Sequence, residues 1–162
     1  MGALLATLAA AAPPNARVCE LGTGAGVGLA WIVHGLGERA DVTVFTVDTN
    51  QEMLATVVTA GWPGYVEFVC DDGAHAVQEF APLDLVFADA PGGKLAGLDA
   101  TIDALAPGGV LVVDDMDPSL HADDGYLEAI AAVRERLLGD PALAAAELDF
   151  ASGVIVATKR RA

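Results

Sequence analysis

A short apolar run that ends in a carboxylate and breaks into glycines restricts this chain most: Val18-Cys19-Glu20-Leu21-Gly22-Thr23-Gly24-Ala25-Gly26-Val27-Gly28. The pattern predicts a buried strand, a tight turn and the start of a helix, the opening unit of a doubly wound α/β domain. Glycine is needed there because the backbone must turn sharply and let a ligand approach with no Cβ in the way. A second acid, Asp48, closes the next apolar run, Val42-Thr43-Val44-Phe45-Thr46-Val47. It therefore stands at the tip of the neighbouring strand, where ribose hydroxyls are held. The dinucleotide fingerprint G-x-G-x-x-G is not met. Val27 stands at its third glycine position counted from Gly22, and Leu29 counted from Gly24.

Apolar runs that fit buried strands recur at 17–21, 42–48, 65–70, 83–88 and 109–113. Helix-compatible segments at 26–37, 50–60, 73–80 and 95–105 lie between them. Such alternation predicts a parallel sheet with right-handed crossovers and helices on both faces. After Asp115 the pattern changes. A polar loop, 116–123, leads to an amphipathic helix around 124–138, in which Leu127, Ile130, Ala131, Leu137 and Leu138 fall near one face. Segments 143–150 and 153–159 read as strands joined at Ser152-Gly153, and so short a turn requires antiparallel pairing. The expected architecture is α/β: one domain over 1–162, with a short N-terminal helix within 1–14 and a seven-stranded, mostly parallel sheet closed by an antiparallel hairpin.

Composition narrows the partners. Eight Lys and Arg against 23 Asp and Glu give a formal charge of −15, which repels a phosphate backbone and argues against nucleic acid as substrate. Hydrophobic residues are 54% and aromatics only 6%, so the core must be built from Ala, Val and Leu, as suits a sheet covered on both faces. Cys19 and Cys70 both sit in strand-like runs and read as buried free thiols of a reducing compartment. The apolar start has no basic segment and stops at Pro13-Pro14, too short to span a bilayer, so a cytoplasmic protein without membrane attachment is expected.

Each strand of the alternating half ends in, or is closely followed by, an acid: Glu20, Asp48, Asp71-Asp72, Asp89 and Asp114-Asp115. In an open parallel sheet these ends line one crevice, the expected ligand site. Taken singly, each acid is equally a helix cap or turn residue. Their order matches a known pattern. Glu20-Leu21-Gly22-Thr23-Gly24-Ala25-Gly26, Val47-Asp48, Asp72-Gly73-Ala74, Phe87-Ala88-Asp89, Leu105-Ala106-Pro107-Gly108-Gly109 and Val113-Asp114-Asp115 resemble the motifs of class I S-adenosylmethionine-dependent methyltransferases, which have a Rossmann-like fold. The closing hairpin about Ser152-Gly153 fits as well, and the set is similar to small-molecule O-methyltransferases of the catechol and caffeoyl-CoA types.

The resemblance implies S-adenosyl-L-methionine as cofactor and a small-molecule hydroxyl as acceptor. By it, Gly22, Thr23, Gly24 and Gly26 hold the methionine end with Glu20 near the ammonium, Asp48 and Thr49 hold the ribose, and Asp72, Gly73 and Ala74 meet the adenine. Asp89 belongs to the cofactor and catalytic sets and, with Asp114 and Asp115, to a site for Mg²⁺ or a similar hard cation. Lys94 is the implied general base or holder of the acceptor oxygen; its plain alternative is a solvated loop lysine. The chain departs from the pattern in three places. Asp114-Asp115 stands where relatives carry Asp-Asn, Lys94 follows Asp89 at a longer interval, and about sixteen residues precede the first strand, fewer than the relatives' covering helices need. A homodimer is one way of covering the acceptor. The alternatives are an NAD(P)-dependent oxidoreductase and a non-catalytic S-adenosylmethionine-binding module.

Overall fold

The computed structural model describes residues 1–161. In chain order the elements are α1 (Gly2–Ala10), β1 (Arg17–Leu21), α2 (Val27–Leu36), β2 (Thr43–Asp48), α3 (Gln51–Val57), β3 (Val66–Cys70), α4 (Gly73–Glu79), β4 (Leu83–Ala88), α5 (Leu98–Ala104), β5 (Leu105–Val113), α6 (Asp124–Gly139), β6 (Leu143–Leu148) and β7 (Val154–Lys159). The seven strands form one sheet in the order β3-β2-β1-β4-β5-β7-β6. β1 to β5 run parallel, and β7 is antiparallel to both β5 and β6. This is the expected seven-stranded α/β architecture.

Alternation along the strands sorts the core into two layers. Cys19, Leu21, Phe45, Val47, Val86 and Ala88 face α4, α5 and α6, which contribute Val77, Ile102 and Ile130. Val18, Val44, Leu85 and Phe87 face α1 and α2, which contribute Leu5, Leu29 and Ile32. Glu20 and Thr46 are register partners on this second face, one on each neighbouring strand, and both are buried.

The differences from the sequence reading have local causes. The segment expected as helix over 95–105 is helical only from Leu98 to Ala104, because Pro91–Ala96 curls back on itself, with Leu95 N and Ala96 N donating to Pro91 O at 2.8 and 3.0 Å. β5 begins at Leu105 rather than 109: Leu83 pairs with Leu105 and Leu85 with Val110, so the Pro107-Gly108-Gly109 stretch is absorbed as a bulge. β6 ends at Leu148, two residues short of expectation, because the turn that follows reaches Ala151 at φ 57°. Cys19 is buried as expected, but Cys70, at the end of edge strand β3, is exposed. Trp31 is 40% exposed, with its ring edge-on to His34. Among the described residues no helix is long and apolar enough to cross a membrane.

Helix α2 presses closely on β1. A Cβ at Gly28 would lie 2.3 Å from Glu20 Oε1 and 2.9 Å from Phe87 Cε1. Gly28→Ala therefore forces α2 away from the sheet and should lower stability by roughly 1–3 kcal/mol in urea denaturation. An unchanged midpoint would show that the helix lifts at no cost.

Candidate functional site

The C-terminal edge of the sheet is built by hydrogen bonds that continue past the strand ends. Asp71 N donates to Asp48 O (3.2 Å), Asp89 N to Leu21 O (2.9 Å) and Asp114 N to Ala88 O (3.2 Å). Each acid is thus fixed at its backbone to the adjacent strand. The glycine turn is tied to β2 in the same way: Gly22 N and Thr23 N both donate to Val47 O, at 2.8 and 3.1 Å. Gly24 N donates to Asp48 Oδ2 and Asn50 N to Asp48 Oδ1, each at 2.9 Å. Gly22 has φ +105°, and a Cβ there would meet Ala90 Cβ and Asp89 C at 3.1 Å, so only glycine leaves this cradle open.

A cavity opens beside the turn, lined by Gly22, Val47, Asp48, Thr49, Asp71, Asp72, Gly73, Ala90, Pro91 and Gly92. It brings together the expected residues Gly22, Asp48, Thr49, Asp72 and Gly73. Asp72 also caps α4, its Oδ1 accepting from Ala74 N at 2.9 Å. Ala74, Gly24 and Gly26 lie outside the lining. Asp71, one of the strand-end acids expected along the crevice, is on the wall too, though the family resemblance assigns it no role; its Oδ2 pairs with His75 Nδ1 at 2.5 Å. That hydrogen bond holds the Asp71 carboxyl below its usual range and raises the His75 imidazole. Ala90, Pro91 and Gly92 carry no chemical side chain, and only the Pro-Gly turn signal after Asp89 points to them.

Glu20 and Thr23 lie beneath the cavity rather than on its wall, 1% and 2% exposed. Glu20 Oε2 accepts from Thr46 Oγ1 at 2.6 Å, and Thr46 Oγ1 in turn meets Thr23 Oγ1 at 2.7 Å. Glu20 Oε1 has no hydrogen-bond partner. Burial pushes the Glu20 carboxyl up to about 8, with the Thr46 hydrogen bond opposing and the Asp89 and Asp48 charges adding to the rise.

Beyond Gly92 the acids converge. Asp89, Asp114 and Asp115 each offer a carboxylate oxygen, all within 4.8 Å of one another. Asp114 is buried, its Oδ1 accepting from Ser152 Oγ (2.5 Å) and Asp115 N (2.8 Å). Partial burial, then the charges of Asp114 and Asp115, raise the Asp89 carboxyl to about 6. Lys94 is 1% exposed, so the solvated-loop alternative is overturned. Its Nζ donates to Asp114 O at 3.2 Å and lies 3.8 Å from Asp115 Oδ2. The Pro91–Ala96 curl returns the lysine to the cluster despite its longer interval from Asp89. His121 Nε2 donates to Asp115 O at 3.1 Å, and its ring packs on Tyr126 with centroids 4.4 Å apart.

Sheet order, glycine turn and strand-end acids define a class I methyltransferase fold. The family model described as "Methyltransferase domain" matches residues 19–116, and the chain belongs to that family. A protein of Mycolicibacterium vanbaalenii named as a candidate O-methyltransferase is 31% identical, over 98% of this chain and 75% of its own. The cofactor-bound structure of Rv0187 from MTB is 25% identical with a TM-score of 0.80, covering 99% of this chain and 80% of that one. The O-methyltransferase from Bacillus cereus, solved with S-adenosylhomocysteine, superposes with a TM-score of 0.81 at 20% identity, covering 98% and 80%. The Mycolicibacterium and Bacillus relatives are named as O-methyltransferases, not as nicotinamide-dependent oxidoreductases.

The raised Glu20 carboxyl has a consequence for stability. Between its ordinary 4.5 and about 8 the unfolded chain loses this proton while the folded chain keeps it. Glu20 therefore makes stability fall as pH rises through that window. Glu20→Gln keeps an acceptor for Thr46 but cannot ionise, so its denaturation free energy should decline less steeply with pH than that of the wild type. Equal slopes would mean that Glu20 is ionised throughout.

Proposed function

We propose that this chain binds S-adenosyl-L-methionine along the C-terminal edge of its sheet and transfers the methyl group to a hydroxyl oxygen of a small molecule, with a divalent cation held by the acid cluster. The observation that carries this reading is the cavity in which Asp48 lies beside an open glycine cradle, with Asp89 leading from it into the cluster. Relatives named as O-methyltransferases, or solved with S-adenosylhomocysteine, support it.

When bound, the cofactor supplies an electrophilic methyl group on a positively charged sulfonium. The chain's own residues bind and orient. Asp48 accepts from the ribose hydroxyls with the lone pairs that Gly24 N and Asn50 N leave free. Asp72 and Gly73, with Ala74 behind them, meet the adenine edge, and Thr49 closes the ribose side. Gly22, Thr23, Gly24 and Gly26 shape the turn for the methionine end, with Glu20 acting from beneath it rather than at its surface.

Three carboxylate oxygens within 4.8 Å, faced by one ammonium, are a donor set that fits a hard cation such as Mg²⁺. Asp89, Asp114 and Asp115 would hold it, and its chemistry there is to lower the pKa of a hydroxyl brought against it. Lys94 has one hydrogen on Asp114 O and others left to donate to an acceptor oxygen, which positions that oxygen for in-line displacement. Lys94 is the one lysine or arginine paired with the cluster among the described residues, so the acidic surroundings favour an acceptor free of phosphate and carboxylate groups.

Calorimetric titration with S-adenosylhomocysteine, with and without Mg²⁺ and with NAD⁺ as control, tests the reading. Binding of the homocysteine compound alone is expected. Asp48→Ala should weaken it about a hundredfold, the worth of charge-assisted hydrogen bonds to the ribose hydroxyls. Preference for NAD⁺, or an Asp48→Ala variant that binds as the wild type does, would overturn the cofactor assignment. Asp114→Ala should abolish Mg²⁺ binding while leaving the homocysteine affinity within about threefold.

A further inference from the structure

One polar system in the molecule is buried, continuous and unused by the cavity wall. Thr46 is the only hydroxyl within the apolar run of β2 that lies at 0% exposure, and it sits directly opposite Glu20 in the β1–β2 register. Its Oγ1 is 2.6 Å from Glu20 Oε2 and 2.7 Å from Thr23 Oγ1, so a carboxyl and two hydroxyls form one chain from β1 through β2 to the glycine turn. The next residues of β2 hold the same turn: Val47 O accepts from Gly22 N and Thr23 N, and Asp48 Oδ2 from Gly24 N. Residues 46, 47 and 48 therefore each grip the turn, Thr46 through a side chain and Val47 through its backbone.

We propose that Thr46 is a positioning residue of the cofactor site, whose hydroxyl ties Thr23 to the buried Glu20 carboxyl and so fixes Gly22 and Gly24 in the conformation a ligand meets.

The order of donors supports this. A Glu20 carboxylate can only accept, so Thr46 commits its single proton to Oε2 and receives one from Thr23. A protonated Glu20 keeps this order with its proton on Oε1 and reverses both bonds with its proton on Oε2. In either case Thr46 is the middle member, and among the described residues no other side chain bridges the acid to the turn. The other Glu20 oxygen, Oε1, has no hydrogen-bond partner among the described residues, so removing the Thr46 hydroxyl takes away the one side-chain hydrogen bond of the buried carboxyl. Thr23 cannot replace the lost bond with water, because it is itself 2% exposed.

The inference rests on the proposed cofactor reading, and one experiment separates the two. Affinity for S-adenosylhomocysteine is measured by calorimetry for the wild type, Thr46→Val, Thr46→Ser, Thr23→Val and the double variant Thr23→Val/Thr46→Val. Valine keeps the shape of threonine and deletes the hydroxyl. Thr46→Val should weaken binding about tenfold, and Thr46→Ser, which keeps the hydroxyl, should restore it to within about threefold. Because both threonines act in one chain, the double variant should bind no more weakly than about twofold below Thr46→Val. A role confined to stability would shift the unfolding midpoint without this affinity loss, its rescue by serine or the non-additivity. Thr46→Val binding as the wild type does, serine failing to rescue, or additive losses would each overturn the proposal. If Thr46→Val does not fold, Thr23→Val carries the test, with the same tenfold loss expected and wild-type affinity as the overturning result. Wild-type protein that does not bind the compound overturns the cofactor reading first, and the inference with it.

Discussion

The site depends on a hydrogen-bond ladder that does not stop where the strands stop. At the C-terminal edge, the first residue beyond β1, β3, β4 and β5 still donates its N–H to the end of a neighbouring strand. That extra rung converts flexible strand tips into fixed positions, and it places Gly22, Asp71, Asp89 and Asp114 there by backbone rather than by side-chain packing. With the backbone fixed in this way, Asp71 Oδ1 and Asp114 Oδ1 each accept from the N–H of the next residue, Asp72 and Asp115. Parallel strands make this possible, since their C-terminal ends all open on the same crevice.

Such an arrangement gathers negative charge where the low-dielectric sheet ends. The chain tolerates it in two ways. Along the cavity, Asp48, Asp71 and Asp72 accept backbone N–H groups, and the His75 hydrogen bond holds the Asp71 carboxyl below its usual range. Deeper in, Glu20 is driven toward the neutral form by burial and by the Asp89 and Asp48 charges, and at the cluster Asp89 is driven the same way by desolvation and by Asp114 and Asp115. A positively charged ligand relieves the second group, so the electrostatics of this edge favour a cationic occupant. Lys94, drawn under the cluster by a curl of six residues, supplies part of that relief from within.

The frame was legible in the sequence because it rests on short-range patterns: apolar runs of strand length, glycines that break them, acids that close them. The termini of α4 and α6 and the antiparallel hairpin follow the same signals, while α3 ends at Val57 and tightens into a 3-10 turn over Val58–Ala60. What escaped was set by long-range geometry. The interval from Asp89 to Lys94 reads as a displaced lysine, and only the fold of Pro91–Ala96 brings it back. The bulge in β5 arises from matching Leu83 to Leu105 and Leu85 to Val110, a register that no local propensity encodes. Thr46 reads as one polar residue in an apolar run until its partners on β1 and in the turn are placed beside it. Cys70 looked buried because its run is apolar, but β3 is an edge strand and leaves its last residue to solvent.

That edge position makes the chain chemically asymmetric toward thiol reagents. Cys19 is sealed in the core, where burial pushes its thiol far above the ordinary range. Cys70 stands open, its sulfur 3.8 Å from the carbonyl oxygen of Thr49, a residue of the cavity wall. A maleimide dye added to the unaltered protein would attach at one point only. The label would sit at the rim of the cavity, where its emission registers a ligand entering or leaving without any engineered cysteine.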